Sequence, residues 1–156
     1  MSMSVIAAVR PDSWNFPLFV HIVGATILVG GLLTSGSALA FAKGDAKLLR
    51  LGYWSMLAVS LPGYFFKDTA TTEIYTKENW DDVPDSLIPA WLDIGYIVAD
   101  AGALVLLIAL IVGGIGVYRM REGKGAGLLK VTMVLSFVLL YIGIFVAGFL
   151  TVGQFS

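Results

Sequence analysis

The chain has 156 residues, 58% hydrophobic and 13% charged, with a formal net charge of −1 and no cysteine. A soluble domain carries about a quarter charged residues, so the composition points away from a water-soluble globule. The near-neutral balance argues against nucleic acid as a partner. The missing thiols exclude disulfides, iron–sulfur clusters and cysteine nucleophiles.

Four apolar stretches approach or exceed the roughly 18 residues expected of a membrane-crossing helix. The expected fold class is an all-α membrane protein, a four-transmembrane-helix bundle in one domain spanning 1–156. The leading MSMSVIAAVR lacks a basic start and a long apolar core, so no cleaved signal is expected. Helix one is predicted over about 16–42, opened by Asn15, Phe16 and Pro17, since proline suits a first helical turn. Helix two is predicted over about 48–66, with Pro62 as a kink or frayed outer turn. Helices three and four are predicted over about 89–118 and 128–152.

The connections differ in charge. Segments 43–50 and 119–130 are short and basic. The segment 68–88 is acidic, with six acids against Lys77 between Asp68 and Asp85. A short surface helix is expected near 72–80. Lysine and arginine collect on the cytoplasmic side of membrane proteins. Both basic loops are therefore expected in the cytoplasm, with the acidic loop and both termini outside, in a multi-pass protein of the cell membrane. Trp14 and Trp91 fall at the predicted outer interface, where aromatic belts form.

Helices cannot associate by the hydrophobic effect in lipid, so close backbone approach at small residues must hold them. Gly24, Gly31 and Gly36 on helix one are the predicted packing positions, with Ala103 and Gly113 on helix three and Gly143 and Ala147 on helix four. The same faces suit a homo-oligomer or other membrane subunits.

Ionisable groups within spans are costly and often functional. His21 is the only histidine. Asp93 and Asp100 are two turns apart on one helix face, and Tyr96 lies on roughly the same stripe. Counted from Pro89, Asp100 lies about 16 Å along its helix, near the midplane. His21, Lys67, Asp93, Tyr96, Asp100 and Tyr141 are expected to approach one polar pocket in the outer half. Structural roles are equally open. Asp93 can pair with Lys67 among headgroups, Asp100 can bond Tyr141, and the His21 ring can bond a neighbouring helix.

His21 is the candidate cofactor ligand. A b-type haem usually takes two axial side chains, so haem needs a second chain or a non-histidine axial ligand. Copper would pair His21 with methionine, but Met56 and Met133 start from the cytoplasmic half. Proton relay through histidine, aspartate and tyrosine is easier physically. Hydrolase and phosphate-loop motifs are absent from the sequence, and the GGIG run Gly113 to Gly116 ends an apolar helix.

The stretch LFVHIVGATILVGGLL resembles an early helix in small bacterial membrane families. These are the copper-resistance D-like proteins, related uncharacterised integral-membrane proteins and, more distantly, the HemJ-type protoporphyrinogen oxidases. The matching positions are His21, Gly24, Gly30 and Gly31. The resemblance covers about sixteen residues and implies copper handling or haem-related redox work. This chain departs from those families in lacking further histidines.

Three functions follow as expectations. The first is an accessory or structural subunit of a larger membrane complex, respiratory or otherwise redox, without catalysis of its own. Its acidic outer loop suits a basic soluble partner such as a c-type cytochrome. The second is a haem or copper protein using His21, and the third a proton- or ion-translocating protein using Asp100.

Overall fold

In a computed structural model, residues 15–75 and 90–153 are described, and their regular structure is entirely helical. The helices are α1 (Asn15–Phe41), α2 (Ala46–Ser55), α3 (Leu61–Tyr75), α4 (Ala90–Arg119) and α5 (Ala126–Gly153). A π-helical turn, Met56–Ser60, joins α2 to α3, and a 3-10 turn, Met120–Glu122, follows α4. Trp14 and segment 76–89 lie outside the described residues, as do the side chains of Trp91 and Ala147.

Local chemistry sets the turns at 42–45 and 119–125. Lys43 and Gly44 take positive φ, 43° and 93°, and Asp45 N–H closes back on the Ala42 carbonyl at 2.6 Å. The Asp45 carboxylate then accepts from Lys47 N–H at 2.7 Å, capping α2. After α4, Gly123 adopts φ 69°, a conformation that favours glycine. Gly123 N–H donates to Met120 O at 3.2 Å and Lys124 N–H to Arg119 O at 3.1 Å. Two carbonyls at the helix end are thereby satisfied.

The second helix differs from its sequence expectation. Its path is continuous from 46 to 75, so residues 68–75 of the acidic segment are helical rather than loop. Pro62 has no N–H, and its ring would crowd the carbonyl one turn back. The chain answers with the π turn immediately before it, in which Leu61 N–H reaches Met56 O. That wider turn absorbs the proline without ending the helix. Beyond it only Gly63 weakens the helix, and α1 packs tightly against that residue.

The four helical paths run up-down-up-down, each beside its neighbours in sequence, with α5 closing onto α1. Along the α1–α3 seam the backbones nearly touch. A Cβ at Gly24 would meet Lys67 N and lie 3.0 Å from Gly63 O. A Cβ at Gly63 would lie 2.6 Å from Leu28 N. Further inward, a Cβ at Gly31 would meet Ser60, and one at Gly52 would lie 2.6 Å from Leu39 Cγ and 3.1 Å from Ser35 O. Gly36 receives the Phe137 ring of α5, and Gly113 receives Tyr53 and Thr132. Ala103 is half-buried, whereas Gly143 has nothing within 4 Å of its Cβ position.

The bundle is inverted relative to a soluble one. Ser35, Ser60, Thr132 and Ser136 are completely buried, while Phe19, Ile97, Leu104, Ile144 and Phe145 are at least 60% exposed. A small apolar cluster of Leu32, Met56, Leu106, Ala109 and Leu110 completes the interior. Water would penalise that outward apolar surface, whereas lipid tails accept it. Three segments, Asn15–Phe41, Ile97–Glu122 and Ala126–Phe145, are long and apolar enough to cross a membrane, with mean hydropathies of 2.1, 2.4 and 2.3. The chain is a membrane-embedded helical protein.

The buried hydroxyls are tied mostly to main chain. Ser55 donates to Gly31 O across the seam at 3.2 Å, Ser136 to Thr132 O at 2.9 Å and Thr132 to Leu128 O at 3.1 Å. Ser60 Oγ is buried with no hydrogen-bond partner among the described residues. An unsatisfied buried hydroxyl is unfavourable. Ser60→Ala is therefore expected to raise stability by about 1 kcal/mol, measured by detergent-titrated unfolding in mixed micelles. A loss of similar size would show that the hydroxyl is bonded.

Candidate functional site

The glycine seam builds a polar node near one end of the bundle, opposite the turns at 42–45 and 119–125. His21 lies one turn before Gly24, where α1 and α3 are in backbone contact. From there the half-buried His21 ring comes within hydrogen-bonding reach of the Lys67 backbone. The Lys67 ammonium lies 5.6 Å over the Tyr64 ring, within cation–π range. The Tyr64 hydroxyl donates to Ala99 O of α4 at 3.2 Å and lies in hydrogen-bonding reach of the Asp68 side chain. One turn of α3 (Tyr64, Lys67, Asp68) thus bridges α1 and α4.

Of the six polar positions expected to converge, the fold joins His21 to Lys67. Asp100 follows Ala99, the acceptor of the Tyr64 bond, but is itself exposed. Tyr141 is 69% exposed and stacks on Phe145 of its own helix at 6.1 Å. The side chains of Asp93 and Tyr96 lie outside the described residues.

Sequence reading passed over Tyr64 and Asp68, which complete the node. Their signal was present: residues three and four apart share a helix face, and Lys67 lies between them. A helix ending at Phe66 leaves Asp68 in the acidic segment, apart from the face of Tyr64. No group of three histidines, cysteines or carboxylates gathers among the described residues.

The node supplies an imidazole, an ammonium, a phenol and a carboxylate at one end of the bundle. Inward of it, the buried polar side chains are hydroxyls, and Ser55, Thr132 and Ser136 donate to backbone carbonyls. Chemically the arrangement clamps three helices together. Tyr64→Phe keeps the ring under Lys67 but removes the bond to α4. The expected loss is about 0.5–1 kcal/mol, read as a lower unfolding midpoint in mixed micelles. No change would mean that the Ala99 bond contributes nothing net.

A second feature faces outward. A groove of about 550 Å³ runs between α1 and the second helix. Ile27, Gly30 and Thr34 form one wall, Leu51, Trp54 and Val59 the other, and Gly31 and Ser55 lie along the bottom. It exists because Gly30, Gly31 and the short Thr34 of α1 lie opposite the large Trp54. Thr34 donates its hydroxyl to Gly30 O at 2.8 Å, so even its polar wall presents mainly a methyl group. Nothing lies within 4 Å of a Cβ built on Gly30.

No family model, curated protein or solved structure matches the chain.

Proposed function

We propose that the protein is a structural subunit of a larger membrane assembly, and that the groove at Gly30 seats a transmembrane helix of a partner subunit. The open groove carries this reading. In lipid, small residues mark the faces where helix backbones approach, and Gly24, Gly31 and Gly36 are already in contact within the bundle. Gly30 lies on the same helix with open space beside it, in a wall of apolar groups. A helix about 10 Å across with a small or flat apolar face fits such a channel.

The reading includes four membrane crossings. The second helix is backbone-packed against α1 from Gly24–Gly63 to Leu39–Gly52, about 22 Å of shared depth. A helix lying along a span over that distance lies in the same hydrocarbon. Charge then orients the bundle, with segments 43–50 and 119–130 in the cytoplasm and both termini outside.

Purification in mild detergent, with intact-mass spectrometry of the native and Gly30→Leu chains, tests the reading. A stoichiometric partner held by the native chain and lost from the variant supports it. A native chain that is a solitary monomer, a second copy as the only occupant, or a partner retained by the variant would each overturn it.

A further inference from the structure

The fold brings both basic loops to one end. Segments 43–50 and 119–130 hold seven of the ten lysines and arginines but only two of the eleven acids. All seven cations are exposed. The register between the second helix and α4 is set by Tyr53, whose ring fills the space at Gly113 and Gly114. Lys47 is six residues before Tyr53 and Arg119 six after Gly113. Both therefore lie about 9 Å below that contact, at one level, with Arg50 between. Tyr118, beside Arg119 in the chain, is 64% exposed, and Trp54, one turn from Arg50, is 55% exposed. Aromatic rings of this kind sit at the headgroup boundary, and the cations beside them extend to phosphate level.

We infer that this end is a binding surface for anionic phospholipid headgroups, held chiefly by Lys47 and Arg50 on one helix and Arg119 on the next. Asp45 and Glu122 offset the site only in part, since seven cations against two acids leave a formal charge of +5. Arginine and lysine attract anionic headgroups at close range, and the exposed Tyr118 lies at nearly the level of Arg119 and Lys47. The inference rests on the membrane-spanning reading, but not on the partner at Gly30.

The test uses the full chain in detergent with an equimolar mixture of phosphatidylglycerol and phosphatidylcholine, followed by native mass spectrometry of retained lipid. Phosphatidylglycerol is expected to be strongly preferred. The preference should fall by about five-fold for each cation neutralised, as in Lys47→Gln, Arg50→Gln and Arg119→Gln, and should decline with added salt. Helical circular dichroism without lipid checks that each variant folds. Equal retention of the two lipids, an unchanged preference in the folded triple variant, or equal protection by inorganic phosphate would overturn this inference alone. Retention of neither lipid would also undermine the membrane reading.

Discussion

Gly63→Ala is expected to destabilise the bundle by about 3 kcal/mol, near the upper end of the usual range for overpacking a tight interior. The added methyl would lie 2.6 Å from Leu28 N and 3.0 Å from Gly24 O. Both are backbone atoms in the middle of α1, so no side-chain rotation relieves the contact. The helices must move apart, and the nearby tie from His21 to the Lys67 backbone should weaken with them. Gly24→Ala presses on the same contact from the other side, so the two substitutions together should cost less than their sum. Gly143→Ala is the control, because its Cβ position is open. The measurement is unfolding by detergent titration, with helical circular dichroism as the signal. Equal behaviour of Gly63→Ala and Gly143→Ala would mean that the seam is not as close as described.

Gly30→Leu is expected to do the opposite: leave the bundle intact and abolish the association proposed for the groove. Stability should stay within about 0.5 kcal/mol, as for other substitutions made away from packed features, because the new side chain enters the groove rather than the interior. A partner helix would then meet a branched side chain where it had backbone. Gly31→Leu, one residue on, provides the contrast. It drives a side chain into Ser60 of the second helix and should unfold the protein. A one-residue shift thus separates loss of fold from loss of association. Tight partner binding that survives Gly30→Leu in a folded chain would rule the groove out as the docking site.

His21 shows how the two levels of reading meet. In the sequence it is an ionisable ring among apolar and small residues, and both a ligand and an interhelical bond are open to it. The fold places it beside a close approach of the α1 and α3 backbones, where its ring reaches the Lys67 backbone. Its role in holding α1 against α3 follows from the glycines around it. The same contact explains why Tyr64 and Asp68 belong to the node: once α3 continues past Phe66, they share a face with Lys67.

The sequence by itself determined the helical class, apolar stretches near 16–42, 89–118 and 128–152, and the opposed charge of the connecting segments. These are local properties. In lipid a backbone must bond within its own segment, so apolar length alone calls for a helix. Only the tertiary structure decided which small residues close a seam and which stand open. Gly24, Gly30, Gly31 and Gly143 are alike in sequence, and a rotation of about 100° per residue sends them to different neighbours. It also decided that Asp100 and Tyr141 are exposed while Ser35, Ser60, Thr132 and Ser136 are buried. Hydropathy measures how readily a residue enters lipid, and it does not encode which side of a helix another helix will cover.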